Sequence, residues 1–146
     1  DVVFEDKDGE INQILEEDLP YDLNQPVIDL DTYAYGIWYL DAMDNLSRYI
    51  GKTIKFKAMV LRPKDGSTDY FVPGRMAMTC CAEDMAFLGY ACKYDKSTEL
   101  TNKEWVEVTA TVHQEFWKDY NGEGPVLHAV SVVPTKKPKD EVVSFN

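Results

Sequence analysis

Thr53-Ile54-Lys55-Phe56-Lys57-Ala58-Met59-Val60-Leu61 alternates without a break, and the reading of this run decides the fold class. In extended backbone, successive side chains point to opposite faces, so Ile54, Phe56, Ala58 and Val60 form one apolar face. That is a strand with one side in a core. The pattern returns at 105–113, where Val106, Val108, Ala110 and Val112 face inward and Trp105, Glu107, Thr109, Thr111 and His113 face outward. On this reading His113 is a surface histidine. Leu88, Tyr90, Cys92 and Tyr94 share one face of another strand. After the loop Asn121-Gly122-Glu123-Gly124-Pro125, residues Val126 to Val133 make a further strand, ended by Pro134. Tyr70-Phe71-Val72 is a short strand interrupted by Pro73-Gly74 and resumed at Arg75.

The resumed segment, Arg75-Met76-Ala77-Met78-Thr79-Cys80-Cys81-Ala82-Glu83-Asp84, carries the chemistry-bearing residues. Its alternation places Met76, Met78 and Cys80 on the expected core face and Arg75, Ala77 and Thr79 on the other. Cys81 then falls at the strand end, before a short helical turn over Ala82–Phe87. Upstream, Asp31 or Thr32 is an N-cap for a helix over about Thr32–Asn45, whose aromatics (Tyr33, Tyr35, Trp38, Tyr39) are expected to pack on the sheet.

Five short strands, frequent turn signals and few helices predict a mainly β domain. The specific expectation is a small five-stranded antiparallel OB-like barrel, with an N-terminal helix and a short helix after the Cys-Cys strand. That domain spans residues 32–146. Residues 1–31 read as an acidic leader or stalk, partly disordered, with one helical turn near Glu10–Glu17. They hold eleven Asp/Glu and one Lys, which accounts for −10 of the formal charge of −11. Such a segment repels phosphate and anionic lipid, so nucleic acid and direct membrane-surface contact are disfavoured. The chain begins at Asp1 rather than Met, which leaves room for an upstream targeting or anchoring segment.

Three cysteines, two of them adjacent, do not make the spaced, even framework of a disulfide-stapled module. Neighbouring Cα atoms are about 3.8 Å apart, below the usual disulfide range of about 4.4–6.8 Å, so a Cys80-Cys81 bridge would be strained. A metal set of Cys81, Asp84, Cys92 and His128, with zinc as the ion, is compatible with the residue types but lacks a Cys-x-x-Cys pair. No phosphate loop, dinucleotide fingerprint, His-Glu-x-x-His helix or nucleophile–base motif is present, and the expectation is a non-enzyme without a cofactor.

Tyr49-Ile50-Gly51-Lys52 before an alternating strand, Arg75-x-x-Met78-x-Cys80-Cys81-Ala82-x-Asp84, and a Pro134-x-x-x-Pro138 tail together resemble the C-terminal extracytoplasmic domain of the bacterial YcgQ-like family. The resemblance covers roughly residues 32–146, and its most specific element is Cys-Cys-Ala-x-Asp. Members carry membrane helices ahead of a domain of unknown function and are thought to work beside a polytopic permease. The resemblance therefore implies an accessory or binding domain of a membrane permease complex, held outside the cytoplasm by an N-terminal anchor absent from this chain. It also implies a site at Arg75, Cys80, Cys81 and Asp84. Two alternatives stay open: a thiol-based redox or zinc domain built on the Cys-Cys-Ala-Glu-Asp turn, and a nucleic-acid-binding OB domain.

Overall fold

A computed structural model describes residues 6–7, 10–11, 14–78 and 83–145. In chain order the elements are β1 (Asp6–Lys7), β2 (Glu10–Ile11), β3 (Ile28–Leu30), α1 (Thr32–Asp44), β4 (Thr53–Leu61), β5 (Tyr70–Met78), β6 (Met85–Gly89), β7 (Cys92–Lys93), β8 (Trp105–Trp117), β9 (Gly122–Pro134) and β10 (Val143–Ser144). The protein is mainly β, and α1 is the one α-helix among the described residues. β1 and β2 pair with each other, while the other eight strands form one sheet.

The pairing path of that sheet closes on itself. β4 pairs antiparallel with both β5 and β8, β8 with β9, β9 runs parallel to β7, and β7 returns antiparallel to β5. Three further strands extend the ring: β3 lies parallel to β4, β6 antiparallel to β5, and β10 parallel to β5. The alternation that sequence predicts on β4 and β8 holds: Ile54, Phe56, Ala58, Val60, Val106, Val108, Ala110 and Val112 are all buried.

α1 closes one end of the core. The Asp31 carboxylate caps it by accepting the Ala34 amide at 2.8 Å, satisfying one of the donors that a helix start leaves open. Tyr35 and Trp38 are completely buried. Their rings lie 5.1 and 6.0 Å from Phe56, and Trp38 meets Tyr90 edge-on at 5.4 Å. The opposite side of the helix is covered by the chain's end. A Cβ on Gly36 would stand 2.6 Å from Val143 Cγ1, so only a glycine lets β10 cross the helix this closely.

Several sequence expectations need correction. Met85–Phe87, expected in the helical turn over Ala82–Phe87, belong instead to strand β6, because the run Met85–Gly89 pairs residue for residue with Gly74–Met78. The strand expected over Leu88–Tyr94 is accordingly split between β6 and β7. Near Glu10–Glu17, the structure has strand β2 and a single 3-10 turn at Glu16–Asp18. Finally, the inward face of β5 is the reverse of the one expected: Arg75 and Ala77 are buried, while Met76 and Met78 are only half-buried. The guanidinium is accepted inside because backbone oxygens wait there for it. Thr79, Cys80, Cys81 and Ala82 lie outside the described residues.

Pro73-Gly74 does not interrupt β5. Pro73 lies opposite Val60 of β4, whose N–H and carbonyl are bonded to Glu104 and Lys103 instead. On the other edge of β5 it falls between the pairing of Tyr70 and Phe71 with β7 and that of Gly74–Met78 with β6, so its missing N–H is tolerated. Gly74 and Gly89 face each other across β5 and β6. A Cβ on Gly74 would collide with the Leu88 carbonyl oxygen and stand 2.6 Å from the Phe87 ring, and one on Gly89 would stand 2.6 Å from the Pro73 carbonyl oxygen.

The acidic N-terminal segment also contributes to this core. Ile28 and Leu30 of β3 are buried against β4, and the Arg48 guanidinium reaches back to the Ile14 carbonyl at 2.9 Å. Deleting residues 1–31 should therefore lower stability by about 3–6 kcal/mol, from two large apolar side chains at about 1.5–3 kcal/mol each. Thermal or urea unfolding of the truncated chain beside the full one measures this, and an unchanged midpoint would show that β3 is dispensable.

Candidate functional site

Two polar centres stand out, one inside the sheet and one on its outer wall. The inner one is Arg75. Its Nη2 donates to the Asp140 carbonyl and to Thr32 Oγ1, both at 2.7 Å, its Nε to the Glu141 carbonyl at 3.2 Å, and its Nη1 to the Lys57 carbonyl at 3.4 Å. The Thr32 hydroxyl in turn donates to the Asp140 carbonyl at 3.0 Å. Its guanidinium carbon stands 5.3 Å from the centre of the Trp105 ring, a cation–π distance. Burial pulls the Arg75 pKa below its ordinary value, with Asp140, Tyr35 and Glu141 opposing; an arginine nonetheless stays charged. Each nitrogen is already engaged, so the geometry makes Arg75 a brace between β5, the start of α1 and the C-terminal segment. Arg75→Met should cost about 3 kcal/mol, the scale of charge-assisted hydrogen bonds lost from a buried cation. It should also free residues 139–145 for early cleavage in limited proteolysis. Wild-type resistance in the variant would show that the tail docks without it.

The outer centre lies on β8, β9 and β7. In the β8–β9 ladder His128 is directly opposite Thr111, and on its other side His128 is opposite Lys93. Period 2 puts Thr111, His113 and Glu115 on the same outward face of β8. The His113 and His128 rings stack, with centroids 3.8 Å apart and planes 21° apart. Glu115 bonds His128 Nε2 through Oε2 and accepts from Lys93 Nζ through Oε1, the latter at 2.6 Å. Thr111 Oγ1 is 2.8 Å from His113 Nε2. Among the described residues, His113, Glu115 and His128 are the one group whose possible metal-ligand atoms all lie within 4.8 Å of one another.

Electrostatics follow from that crowding. Burial, and then the neighbouring His128, push the His113 pKa below its ordinary value, with Glu115 pulling the other way. For Glu115, burial alone would raise the carboxyl, but the hydrogen bonds from Lys93 and His128 outweigh it and hold it below the usual value. A cleft of about 610 Å³ adjoins this group, bounded by Asp69, Lys93, Asp95, Lys96, His128 and Val130. Val130 is the extra residue of a β-bulge, between the Ala129–Ala110 and Ser131–Thr109 pairs, and is 67% exposed. Bulges of this kind re-aim the side chains beside them.

The residues singled out in the sequence are thus dispersed. Arg75 is in the brace, and Asp84 is exposed just before β6. Cys80 and Cys81 lie outside the described residues. Cys92 is fully buried, and burial drives its thiol well above the ordinary value. His128 stands on the outer wall with His113 and Glu115 rather than with Cys92 or Asp84. His113, Glu115 and Lys93 were not among the expected ligands. The signal for them was the outward His-x-Glu alternation of 113–115, usable only with the correct β8–β9 turn.

A small, mainly β domain whose sheet closes by pairing and carries a His–Glu–His cluster on its wall is therefore the class of protein in hand. The family model described as the DUF1980 C-terminal domain matches residues 6–144, and the chain belongs to that family. It is similar to the UPF0703 protein YcgQ of Bacillus subtilis (strain 168), with 21% identity over 109 residues, covering 72% of this chain and 38% of that protein. The chain thus spans 38% of the length of the curated relative it matches.

His113 should titrate below the ordinary imidazole value of about 6.5 and move upward in His128→Ala, as its repelling neighbour is removed. Ring-proton chemical shifts followed by NMR across pH 4–9 (roughly the imidazole range) read both, and a His113 that titrates unchanged in the variant would show that the two rings do not sense each other.

Proposed function

We propose that this is a non-enzymatic binding domain, an extracytoplasmic accessory unit of a membrane permease complex, built as a five-stranded OB-like barrel from β4, β5, β7, β9 and β8. The observation that carries the reading is the form of the outer centre. Its cleft is open on the sheet wall and lined by both acidic and basic side chains, a surface that a ligand enters and leaves. The buried Cys92 supports the non-enzymatic part, since its thiol is held in the protonated form, which is the unreactive one. The permease partnership, and an anchor in the full-length protein, are what the YcgQ-like resemblance implies.

The test uses the full-length protein, tagged, in the bacterium that encodes it. External protease should remove the domain from spheroplasts without lysis, and detergent extracts should yield a polytopic membrane protein in near-stoichiometric amount, identified by mass spectrometry. Protection of the domain until the cells are lysed would overturn the extracytoplasmic assignment. Recovery of the full-length protein without any membrane partner would overturn the accessory role.

A further inference from the structure

We infer that His113, Glu115 and His128 form a binding site for a divalent transition-metal ion of the zinc type. The inference gives the proposed binding surface its ligand class, and to that extent rests on the reading above. Two imidazoles and one carboxylate are a set that zinc accepts, and three protein ligands leave its fourth position open. The three residues come from two neighbouring strands joined by a continuous ladder, so their Cα positions are fixed before any ion arrives.

Ligand atoms at about 2.0–2.2 Å from a tetrahedral zinc stand roughly 3.3–3.5 Å apart. Here they lie within 4.8 Å of one another, but the two rings are stacked. An ion must lie in the plane of each imidazole it binds, so closure needs the rings to turn out of the stack by side-chain rotation, with no movement of the strands. The surrounding contacts are already those of a second layer. Lys93 holds Glu115 through Oε1, which leaves Oε2, the oxygen turned toward His128, to coordinate alone. In the tautomer whose Nε2–H donates to Thr111 Oγ1, the His113 Nδ1 carries the free lone pair; such partners fix ring orientation at metal sites. The ion would enter between Glu115 Oε2 and His128 Nε2, replacing the hydrogen bond between them. The displaced proton leaves to solvent from an imidazolium, or a neutral ring changes tautomer. His128 also lines the cleft, whose wall carries Asp69 and Asp95 together with Lys93 and Lys96. The two histidines remain partly accessible, so bound metal would exchange with solution rather than be locked in the fold.

The competing account is a plain surface ion-pair network, and the residues separate the two. The chelator-treated, reduced chain is titrated with zinc chloride by calorimetry, and with cobalt(II) for its visible spectrum. One zinc per chain is expected, retained in the Cys80→Ser/Cys81→Ser double variant and lost in His113→Ala and in His128→Ala. Both histidine variants are checked by circular dichroism and melting for an intact fold. Thr111→Val, which keeps all three ligands, should weaken binding about 10-fold, the scale of lost second-layer partners. The cobalt spectrum should lack a thiolate charge-transfer band. Absence of heat with the wild-type chain overturns the site, and so does zinc binding of wild-type strength in both folded histidine variants. Protease access and partner recovery, measured on the same variants in cells, report separately on the accessory role. That role fails or stands whatever the zinc isotherm shows.

Discussion

Five segments of this chain meet at one cation. The Arg75 guanidinium rises from β5 and binds backbone oxygens of Asp140 and Glu141 in the tail, Lys57 in β4 and the hydroxyl that opens α1, with the Trp105 ring of β8 alongside. A buried charge without hydrogen bonds would cost several kcal/mol, so these acceptors are a condition for the fold as well as a result of it. They are carbonyls and a hydroxyl rather than a carboxylate, which means their positions depend on how the backbone runs. Only when the tail lies over Gly36 and beside β5 are the Asp140 and Glu141 oxygens where the cation needs them. The charge therefore specifies the path of the last ten or so residues.

A second polar centre does similar work at the other end of α1. Asp41 is fully buried, accepts from Arg48 at 2.9 Å and from the Tyr49 hydroxyl at 2.6 Å, and Tyr49 in turn meets the Tyr21 hydroxyl at 2.7 Å. Through Tyr21 and the Ile14 carbonyl, this network reaches into the acidic segment ahead of the helix. α1 is thus pinned at its start to the C-terminal tail and at its end to the N-terminal segment, while its aromatic middle fills the core.

What the sequence made legible follows from this layout. β4 and the inner half of β8 could be read because one face of each is continuously apolar, and α1 because of its Asp cap and the aromatic residues that follow it. β5 could not, since its inward arginine is compensated by oxygens from residues 65 and 66 positions away, and no local pattern announces such partners. The Met85-Ala86-Phe87-Leu88 run is apolar at every position, so periodicity cannot tell strand from helix there; pairing with β5 decides it. The outer cluster was missed through the turn. A loop centred on Glu123 would set His113 opposite Val133, whereas the chain turns earlier, at Lys118–Tyr120, with Asn121 in the left-handed region at φ 56°. The pair opposite His113 is then Val126, and His128 falls beside it.

The facing glycines of β5 and β6 have a consequence for how this sequence can drift. Each of the two positions is closed to a side chain by a backbone oxygen of the facing strand, Gly74 by the Leu88 carbonyl and Gly89 by the Pro73 carbonyl, with the Phe87 ring close to both. A substitution at either one meets an obstacle that a change at the other does not remove. Phe87 could shrink, but a backbone oxygen cannot be mutated away, so neither position opens by that route. The two sites are therefore alike: each is closed for as long as β6 pairs with β5. Lineages that lose the ring at 87 should still keep glycine at both 74 and 89.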